Sequence, residues 1–306
     1  MPTKKIIVTG GAGFIGSAII PELQRHGHEI FVIDDLSFGN RTFIDVPDSH
    51  FLQASILDLP AISTFIADTQ PHYVIHLAAA HFIPFCNENP FLASNINIKG
   101  TMNVLDVAAQ TPSIEKIFFA STAAVYGINN EGSHTETEPP NPLDIYGMTK
   151  LTGERLCNEF YLKTKIPTII CRFFNAFGPN ETNPHLIPEI QNQINNGNRT
   201  INLGNLTPKR DFIHTHDMAR AARLLLEKFD TGIEVFNLGQ GIEYAVTEIV
   251  EAFERQINEK ITIVQDPTRI RKVERQHLLA NNSKLKAYIN WQPEVTIDEG
   301  IKTLLK

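Results

Sequence analysis

The chain has 306 residues, 42% of them apolar and 20% charged, enough to bury one large core or two modest ones. Its formal net charge of -7 leaves no basic stripe, which excludes nucleic acid as a partner and means that an anionic small molecule must be held by a few placed arginines and helix ends. Three scattered cysteines, Cys86, Cys157 and Cys171, exclude a disulfide framework or a zinc site, and no apolar run approaches the ~20 residues of a membrane span.

In chain order, Lys4-Lys5 passes straight into the apolar run 6–9, a strand and not a signal peptide, so a cytoplasmic location is expected. A helical period covers 15–26 and a second run covers 29–33. Further runs fall at 73–77, 116–120 and 168–172, with amphipathic helical patterns at 95–110 and 146–163. This alternation predicts an α/β fold, a Rossmann-type doubly wound parallel sheet with helices on both faces. After residue 172 the texture changes. Residues 175–183 are loop-like, with breakers at Gly178-Pro179 and Asn183-Pro184, and a helix over Leu186–Asn195 and a short strand over Thr200–Leu203 follow. The expected division is a dinucleotide-binding domain over 1–172, to which a strand near 233–238 can return, and a smaller substrate-binding lobe over 173–306.

The first strand runs into Gly10-Gly11-Ala12-Gly13-Phe14-Ile15-Gly16, where a helix begins. Gly10 permits the tight turn, Gly13 lets the backbone approach a pyrophosphate, and Gly16 lets helix and strand pack closely. The helix N-terminus offers N–H groups and a positive dipole end to the phosphates. Placed between a first strand and a helix, these glycines say far more than a lone triplet. The second strand ends at Asp34, about 20 residues further on, where a carboxylate accepts from both ribose hydroxyls and repels a 2′-phosphate. NAD is therefore expected rather than NADP. Asp35 is read as a helix-cap or loop residue.

Tyr146-Gly147-Met148-Thr149-Lys150 puts a phenol and an ammonium on one helix face. A free tyrosine, with a pKa of about 10, is a poor base at neutral pH. A nearby ammonium and an oxidised nicotinamide favour the phenolate, which can then take a proton from a hydroxyl. Alone, the pair is common by chance. Ser121-Thr122, just past the strand 116–120, gives it context, because ligands of doubly wound sheets bind at carboxyl ends of strands.

Together with His76-Leu77-Ala78-Ala79, Asn97-Ile98-Lys99-Gly100-Thr101, Ser121-Thr122-Ala123-Ala124-Val125-Tyr126-Gly127, Arg172-Phe173-Phe174-Asn175 and Arg210-Asp211-Phe212-Ile213-His214, these motifs resemble the extended short-chain dehydrogenase/reductase family over nearly the whole chain. Within it the resemblance is to the NAD-dependent nucleotide-sugar epimerases and dehydratases, nearest to the UDP-glucose 4-epimerases. It implies that Thr122 hydrogen-bonds the reacting sugar oxygen beside Tyr146 and that Lys150 also holds the nicotinamide ribose. Phe14, Ile15, Leu77, Ala78, Ala79, Asn97 and Ser121 fall on the cofactor side, with Gly39 and Asn40 near the adenosine. One departure is Ser55-Ile56, where the family carries Asp-Ile; Ser55 keeps one hydrogen bond, so weaker adenine contact is expected without loss of NAD.

On the substrate side, Asn175 and Arg210 match residues that contact the diphosphate of a UDP-sugar or another nucleotide sugar, a task that suits the planar guanidinium fork. Arg271 or Arg275 supplies a second cation, the spacing to Ser283-Lys284 favouring Arg271, unless both are solvated surface. Leu186 and Leu203 fall where the family packs the nucleobase. His81 either presents a polar group to the sugar or is an ordinary core or surface histidine, and Cys86 is read as a buried thiol. The resemblance also implies a homodimer formed through helices near 95–110 and 146–163.

Three functions compete. A 4-epimerase of the UDP-hexose type is favoured by Ala123 and Ala124, which stand where 4,6-dehydratases carry carboxyl groups. A dehydratase is suggested by the stretch 204–212 and by Glu274-Arg275-Gln276, with His81 and Cys86 as the nearest acid and base. A non-catalytic NAD sensor need not keep Thr122, Tyr146 and Lys150 together.

Overall fold

A computed structural model describes residues 3–128, 132–269 and 275–305. The strands in chain order are β1 (Lys5–Thr9), β2 (Glu29–Asp34), β3 (Phe51–Gln53), β4 (Tyr73–His76), β5 (Lys116–Thr122) and β6 (Thr168–Phe173), then β7 (Asn175–Phe177), β8 (Thr200–Leu203), β9 (Lys209–His214) and β10 (Ile233–Leu238). Three short ones follow, β11 (Glu243–Ala245), β12 (Thr262–Gln265) and β13 (His277–Leu278). Seven of these form one parallel sheet in the order β10-β6-β5-β4-β1-β2-β3. The order reverses between β1 and β4, which opens a crevice at the carboxyl ends of the strands.

The helices are α1 (Gly16–Arg25), α2 (Leu59–Thr69), α3 (Ile83–Glu88), α4 (Pro90–Ser94), α5 (Thr101–Gln110), α6 (Ile145–Thr164), α7 (Leu186–Asn195), α8 (Thr215–Lys228), α9 (Val246–Ile257), α10 (Ser283–Ile289) and α11 (Ile297–Lys302). Successive strand residues feed opposite cores. Ile6 and Val8 pack with Ile20 of α1, Leu225 of α8 and Leu285 of α10. Ile7 instead packs with Ile66 of α2, Val104 of α5 and Phe160 of α6. Burial on both faces is why these strands read as continuous apolar runs with no alternation. A third core, including Ile187, Ile201, Phe212, Phe253 and Ile301, sits under α7, α9 and α11. The chain after residue 172 thus feeds two bodies: α8, β10 and α10 join the sheet, while α7, α9, α11 and the short strands β7, β8 and β9 supply the separate core, and Leu278 of β13 packs with Ala123 and Tyr126. Among the described residues no helix is long and apolar enough to cross a membrane.

Several elements depart from the periodic reading. β5 runs on through Ser121 and Thr122, so both are its last residues and do not follow it. The stretch 175–183 is not all loop, because β7 pairs with β9. The helical pattern at 95–110 begins instead at Pro90 and passes through a π-helical turn at Asn95–Gly100, where the buried Asn97 turns inward.

Helix α6 carries the phenol and ammonium. The Asp144 carboxylate caps it by accepting from Gly147 N at 2.7 Å. Gly147 is required by close approach: a Cβ there would strike Ala124 O in the turn that follows β5.

Candidate active site

A cleft of about 550 Å³ lies at the carboxyl ends of the central strands. Its cofactor half is lined by Gly10, Gly13, Phe14, Ile15, Gly16, Asp34, Gly39, Ser55, Ile56, Leu77, Ala78 and Ala79, with Ser121, Tyr146 and Lys150 at the junction. Gly10 has φ +72°, and a Cβ on it would lie 2.6 Å from Ala78 N, so the turn admits no side chain. Gly13 differs. A Cβ there would meet only Gly10 O at 3.2 Å, so the protein's own packing asks little of it, and the loop stays bare where it lines the cleft.

Asp34 is buried, with Oδ2 accepting from Ala12 N at 2.9 Å and Oδ1 from Leu36 N at 2.8 Å. Burial raises its pKa and these two N–H donors offset part of that rise. Each oxygen retains acceptor capacity toward a ribose. Asp35 also lines the cleft, accepting from Ser37 N at 3.0 Å in a loop. Two adjacent carboxyl groups disfavour a 2′-phosphate. Bare glycine loop, helix N-terminus and a buried carboxylate lining the cleft together fit a nicotinamide dinucleotide.

Two residues expected on the cofactor do not line the cleft. Asn40 points outward, its side chain accepting from Thr42 N, and only its backbone N–H reaches the glycine loop, at Ala12 O. Asn97 works from beneath: its amide accepts from Ala80 N at 2.8 Å and donates to Ala80 O and Thr149 Oγ1, both at 2.9 Å. It holds the wall in place. Arg271 lies outside the described residues.

Thr122, Tyr146 and Lys150 meet in the cleft. Thr122 Oγ1 accepts from Ala124 N at 3.1 Å and is also a hydrogen-bond partner of the Tyr146 phenol. Burial pushes the Tyr146 pKa up, and the Thr122 bond eases the penalty. Burial pushes Lys150 down to about 8, and its Nζ lies 4.3 Å from the centre of the Phe119 ring.

On the substrate side the cleft brings together Asn175, Leu186, Leu203, Arg210, Arg275 and His81. Arg210 Nη1 donates to Lys209 O and Arg275 O, both at 2.8 Å. Arg275 Nη2 donates to Ala124 O at 3.2 Å and Tyr126 O at 3.1 Å, which ties it to the turn after Thr122. The His81 ring receives Asn183 Nδ2 at Nε2, 2.7 Å away, and burial lowers its pKa. Cys86 is fully buried, gives its S–H to Ala80 O, and is pushed up to about 11 by burial.

Reading the sequence missed Arg269, which lines the cleft and pairs with Glu189 at 2.7 Å; its signal was its place in the same basic stretch as Arg271. The sequence marks the loop after β7 as a loop, but not its place at the cleft. There Asn180 Nδ2 donates to Ser17 Oγ and Thr182 Oγ1 to Phe38 O, each at 3.2 Å, bringing Glu181 and His185 to the cleft.

Fold and cleft define a dinucleotide-binding α/β protein of the doubly wound class with a Thr-Tyr-Lys cluster at the sheet's carboxyl edge. The NAD dependent epimerase/dehydratase family is matched over residues 6–239, and the chain belongs to that family. A UDP-glucose 4-epimerase of Corynebacterium glutamicum is 30% identical over 308 residues, covering 95% of this chain and 92% of the relative. The structure of a UDP-glucose 4-epimerase from Thermotoga maritima with UDP-glucose superposes with a TM-score of 0.90 at 28% identity, covering 98% of this chain and 97% of that one. A Thermus thermophilus UDP-glucose 4-epimerase in complex with NAD gives 0.89 at 28% identity, with the same coverage, 98% and 97%.

Proposed function

We propose that the protein is an NAD-dependent 4-epimerase of UDP-hexoses. The observation that carries this reading is the meeting of Thr122, Tyr146 and Lys150 in the cleft that also holds the glycine loop and Asp34. Bound NAD supplies a reversible two-electron oxidant for C4 of the sugar. Tyr146 takes the proton from the C4 hydroxyl and returns it once the 4-keto sugar has turned over. Thr122 orients that oxygen, and the Lys150 ammonium favours the phenolate. Asn175 and Arg210 hold the diphosphate, with Arg269 and Arg275 as further cations lining the cleft, and Leu186 and Leu203 flank the nucleobase. The division of labour follows the sheet: residues 1–172 with the returned strand carry NAD, and the lobe within 173–306 carries the nucleotide.

Elimination of water would need a further acid and base. Ala123 and Ala124 offer methyl groups, Cys86 keeps its proton on Ala80 O, and Nε2 of His81 is taken by Asn183. Epimerisation needs none of them. An exposed apolar face on α4, α5 and α6 supports a homodimer.

Acid-denatured protein should release one NAD per chain; NADP alone in that extract would overturn the Asp34 assignment. Tyr146→Phe and Lys150→Met should fold and lose about 10²-fold or more in turnover. Near-normal rates in either would remove the residue from the mechanism.

A further inference from the structure

Behind the cleft, Ser121 Oγ donates to Glu154 Oε1 at 2.5 Å. Glu154 receives Arg172 on both oxygens, Nε on Oε1 at 2.9 Å and Nη2 on Oε2 at 2.7 Å. All three residues are buried. Ser121 and Arg172 are register partners across β5 and β6, and Glu154 stands on α6 one turn beyond Lys150. Arg172 is held in turn, its Nη1 donating to the Tyr126 phenol at 2.9 Å while that phenol donates to Asn237 Oδ1 at 2.7 Å.

This arrangement decides where one hydrogen points. A guanidinium stays protonated, and a carboxylate that takes its fork accepts on both oxygens. The proton between Ser121 and Glu154 is therefore the hydroxyl's own. Ser121 has a single hydrogen and spends it backwards, so toward the cleft, which it lines, Oγ has only lone pairs to offer.

We propose that Glu154 is a positioning residue that fixes Ser121 as a hydrogen-bond acceptor for a donor group of the bound dinucleotide. The proposal rests on the NAD reading above. A nicotinamide dinucleotide offers two kinds of donor, the carboxamide N–H and the ribose hydroxyls. Without the carboxylate the serine hydroxyl would be free to rotate, and a rotated hydroxyl sets its hydrogen against the ligand's. A Gln at position 154 cannot satisfy both Arg172 N–H groups and still accept from Ser121, because one of its two terminal atoms is itself a donor.

The test measures retention of labelled NAD by purified holoenzyme in exchange experiments, for wild type, Ser121→Ala, Glu154→Gln and the double variant, with thermal unfolding alongside. Each single variant should weaken retention about tenfold, the scale of one hydrogen bond, and the double variant no further than the worse single. A second arm competes NAD with 3-acetylpyridine adenine dinucleotide, which lacks the carboxamide N–H. If the carboxamide is the donor, wild type disfavours the analogue and Ser121→Ala does not. If a ribose hydroxyl is the donor, Ser121→Ala weakens both dinucleotides alike. Retention by Ser121→Ala within twofold of wild type, or additive losses in the double variant, would overturn the proposal. Ser121→Ala leaves the ion pair intact, so its unchanged retention would overturn the proposal even if Glu154→Gln does not fold. Wild-type protein holding no NAD would sink the cofactor reading itself, a distinct result.

Discussion

Both ring nitrogens of His76 are committed inside the sheet. Thr101 donates its hydroxyl to Asn97 O at 2.6 Å, so its Oγ1 must accept from His76 Nε2–H at 2.9 Å. His76 Nδ1 then accepts from Thr9 Oγ1 at 2.6 Å. This neutral chain joins β1, β4 and the π-helical turn directly under the cofactor wall. Burial drives the His76 pKa from 6.5 to about 3. Between those values the unfolded chain binds a proton that the folded one refuses. The resulting stability is present above pH 6.5 and is lost as pH falls through the window, at about 1.4 kcal/mol per pH unit. His76→Gln, which can still accept from Thr9 and donate to Thr101, should lose stability less steeply on acidification. Urea unfolding of both proteins between pH 4.5 and 7 checks this; equal slopes would contradict it.

At the scale of elements, the apolar runs of β1, β2, β4, β5 and β6 were legible because each is buried on both faces, and the glycine loop was legible because a strand and a helix bracket it. β3 was not, since Phe51 and Leu52 are only partly buried, Gln53 is exposed and the three carry no pattern. The π-helical turn was invisible as well, because nothing in Asn-Ile-Asn-Ile-Lys-Gly marks a change of pitch. In the site, residue types fixed by chemistry were found from the chain: Asp34, Thr122, Tyr146 and Lys150 all reach the cleft. Contacts made by long-range folding were not. Glu154 reads as an ordinary helix residue until Arg172 arrives from β6, and the engaged Nε2 of His81 depends on Asn183, far along the sequence. Helices α4 and α5 pack on α6 and leave an apolar face outward, with Phe91 90% exposed and Met102, Met148 and Leu162 about half exposed. Covering such a face is the expected role of a second copy. Sedimentation at micromolar concentration should show a dimer, and Met148→Glu with Leu162→Glu should give a folded monomer. A monomeric wild type would contradict this.

At the scale of the molecule, a parallel sheet presents the glycine loop and Asp34 to the cleft, and elements of the separate core under α7, α9 and α11 border it as well. In the proposed 4-epimerase reaction hydride leaves C4 of a UDP-sugar and returns to its other face while Tyr146 carries the proton, and this has an isotopic consequence. The enzyme is incubated with a panel of UDP-sugars in D2O, and the products are examined by mass spectrometry and NMR. The prediction is C4 isomers of unchanged carbon-bound mass, with no deuterium on any carbon, because the migrating hydrogen never meets solvent. Loss of one water, or deuterium on the ring or at C6, would contradict it.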